Sequence, residues 1–135
     1  MNKLKLICFA SLLSVGVSHA STLCNGFQIK IRNNLPHAIT SQKITLSNGA
    51  VINPNNDQTI PAHSERVYVV ENTPDGALMF GKMNFKTDTN DAKKIKLKFT
   101  LEGKLAICEH DDKTTETDYP VEKTRSPGQV TYTIG

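Results

Sequence analysis

The sequence predicts an all-β fold: a single antiparallel β-sandwich of about seven or eight short strands, following an N-terminal signal peptide. Three observations carry this. Apolar residues recur with a period of two through most of the chain beyond residue 26. Clusters of Asn, Asp, Gly and Pro interrupt the alternation at short, regular intervals. No segment past the leader shows the 3.6-residue period of an amphipathic helix.

The leader comes first. Lys3 and Lys5 precede an apolar run from Leu6 to Val17, and Ser18-His19-Ala20 offers small residues at both positions that a signal peptidase reads. Cleavage after Ala20 divides the chain into a leader, 1–20, and a β-sandwich domain, 21–135. The apolar run is shorter than the roughly 20 residues a bilayer crossing needs, and no later segment approaches that length. The expectation is an exported chain, secreted or periplasmic, without a transmembrane segment.

Phe27, Ile29 and Ile31 alternate with Gln28, Lys30 and Arg32 in a first strand that stops at Asn33-Asn34. In the second, 38–46, Ile39 is out of phase with Ile44 and Leu46, so a bulge is expected near Ser41-Gln42. A turn at 47–49 leads to a short strand around 50–52 and the polar loop NPNNDQ, 53–58. ERVYVVEN, 65–72, is apolar on both faces and reads as a central strand. After the TPDG turn, Leu78 and Phe80 share one parity and Met83 and Phe85 the other, which predicts a bend at Gly81.

KKIKLKFTLEGKLAICE, 93–109, reads as a hairpin. Burying Leu97, Phe99, Leu105 and Ile107 at about 1.5–3 kcal/mol each favours a three-residue loop at Leu101-Glu102-Gly103. The polar stretch 109–128 reads as a long loop with a short edge strand near 119–121. The closing QVTYTIG turns Val130, Tyr132 and Ile134 inward.

With Cys8 lost in the leader, Cys24 and Cys108 remain, and an even count in an exported chain predicts one disulfide. Closing a loop of this size stabilises by roughly 4–5 kcal/mol on the chain-entropy model. Removing Lys3 and Lys5 from 16 basic residues leaves 14 against 13 acidic ones, a balance that does not point to nucleic acid.

Few residues suggest chemistry. EHDD, 109–112, lacks the ligand spacing of zinc or calcium sites, and TDTND, 87–91, lacks the calcium-loop pattern, so no metal is expected. Met79 and Met83 read as core residues, and no phosphate loop or other cofactor motif appears. His63 and Ser64 are strand neighbours that point apart, and no G-x-S-x-G elbow exists. There is no Trp, and Tyr68 and Tyr119 are the aromatic residues left free of a core parity.

The functional expectation is therefore a binding or interaction protein without catalytic activity, its partner an unknown protein or envelope component. Contact is expected through loops 109–127 and 53–58, where a rigid sandwich displays recognition. One alternative is envelope or membrane-surface binding through Lys94, Lys96 and Lys98, whose row otherwise reads as the wet side of a strand. Glu102 and Glu109 flank that row and no aromatic residue interleaves it, which speaks for the plain solvated face. A further alternative is a small secreted hydrolase built around His37, His63 or His110.

Overall fold

A computed structural model describes residues 23–74 and 76–135. The expected leader and its cleavage site lie outside them. Ten strands follow in order: β1 (Gln28–Asn33), β2 (Ile39–Leu46), β3 (Val51–Asn53), β4 (Thr59–Ile60), β5 (Ser64–Glu71), β6 (Met79–Thr87), β7 (Lys94–Lys104), β8 (Ile107–Asp112), β9 (Val121–Ser126) and β10 (Gln129–Ile134). They form two five-stranded sheets, β3-β5-β1-β10-β9 and β4-β2-β6-β7-β8, packed face to face as a sandwich. One pairing departs from antiparallel order: β1 runs parallel to β10. No helix among the described residues is long and apolar enough to cross a membrane.

Alternation determines which side chains fill the space between the sheets. Ile29 and Ile31 of β1, Tyr68 and Val70 of β5, and Val130, Tyr132 and Ile134 of β10 meet Met83, Phe85, Ile95, Leu97 and Phe99 from the other sheet. The bulge falls in β2 where the parity break predicts it, between Ser41 and Lys43. Ser41 is buried there, and its hydroxyl bonds the Asn56 carbonyl and the Gln58 N–H, tying the Asn-rich loop to the bulge. Asn33, fully buried at the end of β1, donates to the carbonyls of His37, Ile60 and Pro61 and accepts from the Leu35 N–H. Its amide thereby satisfies backbone groups where β1 and β4 end.

Several expectations are corrected. Gly81 is no bend: the ladder runs through it in register, opposite Leu46 and Phe99. The Phe99 ring occupies the space a side chain would need there, since a Cβ on Gly81 would lie 2.3 Å from it. Met79 thus goes inward and Phe80 outward, 61% exposed. The hairpin turns at Leu105-Ala106, with Lys104 opposite Ile107, and not at Leu101-Glu102-Gly103. Leu97 and Phe99 are buried as expected, but Leu105 and Ile107 lie in solvent. The longer hairpin buries Leu101, brings His110 inward opposite it, and aims Cys108 at Cys24. Gly103 serves close packing, with Leu23 in the space beside it.

β5 is central in having β3 and β1 on either side, yet Val67 on its outer face is exposed. The polar stretch 109–128 contains the end of β8 and all of β9, so the edge strand expected near 119–121 begins at Val121 and runs to Ser126, and only 113–120 is a connection. Cys24 and Cys108 form the expected disulfide, with S–S 2.09 Å across 84 residues of sequence. Such a bond belongs to an oxidising compartment.

Candidate functional site

Two regions combine charge with order: the open side where β8 and β9 face each other, and the outer face of β2, β6 and β7.

At the first, β9 turns Lys123 and Arg125 toward the gap because they share parity with core-facing residues of β10. From β8, His110 and Asp112 turn the same way. Arg125 Nε donates to His110 Nδ1 at 3.2 Å, which leaves the ring proton on Nε2. Nε2–H then donates to the Tyr132 hydroxyl at 2.8 Å, and that hydroxyl donates to Asp112 Oδ1 at 3.2 Å. Lys123 Nζ stands 3.8 Å from Asp112 Oδ2. Phe27 stacks parallel to the imidazole at 6.1 Å, and Phe99 tilts over it at 5.5 Å.

Burial, reinforced by the positive Arg125, pushes the His110 pKa down to about 4. Burial and the neighbouring Asp112 push Tyr132 well above the ordinary phenol range. The chain of bonds therefore has one direction and one protonation state near neutral pH. It clasps one sheet edge to the other, alongside the disulfide. A groove of about 800 Å³ opens next to it, bordered by Leu23, Phe27, Ile107, His110 and Arg125. His110 cannot act there as a general base while Arg125 occupies its acceptor lone pair.

The second region is set by β-alternation on the other side of the same sheet. Lys43 of β2, Lys82 and Lys86 of β6, and Lys94, Lys96 and Lys98 of β7 are all exposed. Register places Lys82 opposite Lys98, Lys86 opposite Lys94, and Asn84 opposite both Lys43 and Lys96. Among the described residues none of the six forms an ion pair. Acidic residues border one end of the face: Asp88 accepts from the hydroxyl of Thr40, which stands opposite Lys86, and Glu116 and Asp118 line a hollow with Lys94 and Lys96, where Asp118 accepts the Lys94 backbone N–H at 2.8 Å. Glu102 and Glu109, which flank the row in sequence, are both held by Lys104 at 3.4 and 3.8 Å toward the hairpin tip. An aromatic residue does stand among the lysines. Phe80 lines a shallow hollow of about 290 Å³ together with Lys43, Lys82, Lys98 and Lys113.

The expected joint loop surface is not assembled. Loop 53–58 lies between β3 and β4 at one side of the sandwich, whereas 109–127 spans β8 and β9 at the other. His63 is exposed at a positive φ of 55°, and Ser64 beside it bonds the Ala62 carbonyl. Of the two tyrosines expected to be free, Tyr68 is fully buried and Tyr119 half-buried; Phe80 is the displayed ring. No group of three His, Cys, Asp or Glu suited to a metal occurs among the described residues. Lys43, Lys82 and Lys86 join the face beyond the expected Lys94, Lys96 and Lys98, and the sequence signal for two of them is Phe80-x-Lys82-x-Asn84-x-Lys86, which carries one parity without a break.

Compared with known proteins, the chain matches no family model, no curated protein and no solved structure.

Proposed function

We propose that this is an exported binding protein, acting without catalysis, that holds an acidic partner against the outer face of β2, β6 and β7. The observation that carries the reading is the opposition of Lys82 to Lys98 and of Lys86 to Lys94 with no carboxylate between them. Like charges directly across a ladder destabilise a sheet, so folding alone gives no reason for them. An acidic partner supplies one. The disulfide supports an exported setting, because such bonds persist outside the reducing cytosol.

The test is retention of the purified protein on immobilised dextran sulfate, with elution by salt. The parent should bind at low salt and elute as screening shortens the reach of each charge. Changing Lys94, Lys96 and Lys98 together to Gln should abolish retention. A triple variant that elutes with the parent overturns the reading.

A further inference from the structure

We propose that the acidic partner is an anionic lipid surface, with Phe80 entering the headgroup layer while the lysines around it hold the phosphates. This rests on the reading that the lysine face binds, and adds what it binds.

Three features of the face favour a lipid surface over a soluble polyanion. The first is the kind of cation. All six charges are lysines, which act as mobile point charges and lack the planar fork that fixes one carboxylate or phosphate in one geometry. Such a set suits a dense, laterally mobile array of anions better than one specific group. The second is Phe80. Its ring is 61% exposed on the outer face, and Leu78, on the same parity just before β6, is 41% exposed. A hydrated polyanion offers an apolar ring nothing, whereas a lipid places hydrocarbon directly beneath its charged headgroup. The third is their juxtaposition. Lys43, Lys82, Lys98 and Lys113 border the same shallow hollow as Phe80, so cation and apolar anchor meet in one place. A lipid satisfies both at once.

The acidic residues set the orientation. Glu102, Glu109 and Asp111 belong to the β7–β8 hairpin, where Lys104 and Lys113 already engage them. Docking centred on Phe80, Lys43, Lys82 and Lys98 keeps the contact away from the hairpin tip and from Glu116 and Asp118, which stand beside Lys94 and Lys96.

Because the chain contains no Trp, Phe80→Trp is a reporter with no background. The purified parent, Phe80→Trp, Phe80→Ser and a Lys82→Gln/Lys98→Gln double variant are mixed with phosphatidylglycerol-rich vesicles, with pure phosphatidylcholine vesicles, and with dextran sulfate. The parent should sediment with the anionic vesicles at low salt and not with the neutral ones. The double variant should lose about 25-fold in vesicle affinity, near fivefold per lysine. Phe80→Ser should lose about tenfold on vesicles and nothing on dextran sulfate. Phe80→Trp emission should shift to the blue with anionic vesicles alone.

Binding to dextran sulfate without binding to vesicles overturns the lipid proposal and leaves the acidic-partner reading standing. So does vesicle binding that Phe80→Ser leaves unchanged, or an unshifted Phe80→Trp emission on vesicles that carry the protein down. Failure to bind either material removes both. No variant should melt below the parent, since the altered side chains are exposed and the double variant only removes a like-charge contact, and that keeps binding losses from being read as unfolding.

Discussion

The two outer faces of the sandwich are built alike and charged differently. On the β3-β5-β1-β10-β9 sheet, Lys30 and Arg32 of β1 stand beside Glu65 of β5, at 3.9 and 3.6 Å, and the rest of that face is Gln, Thr and Val with two further carboxylates, Glu71 of β5 and Glu122 of β9. On the β2–β6–β7 face the cross-strand positions hold lysine against lysine. Both faces satisfy the rule that a one-side-wet sheet carries polar residues outward. Only the first also neutralises its charge. An outer face of this fold therefore has no need of uncompensated cations, and their presence on one side alone points to use.

The largest expected effect separates the fold from either face. Arg125, Lys123, Asp112 and Asp111 surround His110, with Tyr132, Phe27 and Phe99 on its rings, and the folded imidazole titrates near 4 where a free one titrates near 6.5. Between those values the unfolded chain binds a proton that the folded chain does not. This stability contribution is thus complete above about pH 6.5 and is lost as the pH falls toward 4, by up to about 3 kcal/mol. Urea denaturation across this range, compared between the parent and His110→Phe, isolates the imidazole from the carboxylates that titrate nearby. Equal slopes for the two proteins would break the description of the clasp.

Charge reversal addresses the comparison directly. Lys82→Glu places a carboxylate opposite Lys98, giving the β6–β7 ladder the kind of pairing that Glu65 gives β1 and β5. The variant should gain roughly 0.2–1 kcal/mol in urea denaturation at low salt. It should also bind anionic vesicles about 30-fold less tightly, because two units of charge change at the surface. Stability rising while binding falls is the signature of a face kept for a partner. A destabilised Lys82→Glu would show that the lysines are already accommodated.

The alternation that makes this a sandwich was plain in the sequence, and so were the β2 bulge, the disulfide and the inward row of β10. In the hairpin, apolar area alone favours burying Leu105 and Ile107, whereas Leu101 continues the parity of Leu97 and Phe99 without interruption and is the residue that is buried. The disulfide to Cys24 adds a constraint on Cys108 that local burial does not contain. Of β9 only the start is legible, as the short edge strand near 119–121, because VEKTRS has almost no apolar content. As a sheet edge it buries little, and its lysine and arginine face a polar clasp that no periodicity reveals. The cationic face was half legible. Lys94, Lys96 and Lys98 stood out along one strand, but Lys43, Lys82 and Lys86 join them only through register, and Phe80 was assigned inward until Phe99 was seen to fill the space over Gly81.

The smallest expected effect runs the comparison in reverse. Glu65→Gln removes the carboxylate that pairs with Lys30 and Arg32, leaving those two cations without an ion pair on a face that still carries Glu71 and Glu122. Arg32 and Glu65 are about half exposed, so water already screens the pair and the loss should be at most about 0.5 kcal/mol, vanishing at high salt. If any unpaired lysine or arginine on a sheet were enough, this variant would acquire a second docking face and bind anionic vesicles several-fold more tightly. The expected change is below about twofold, because two charges at roughly 1 kcal/mol each act only while that face lies against the membrane. In that pose Phe80 and its surrounding lysines, on the opposite face, point into water. Measured affinity that rises with Glu65→Gln as steeply as it falls with Lys82→Glu would make net charge the whole explanation and deprive the arrangement around Phe80 of any special part.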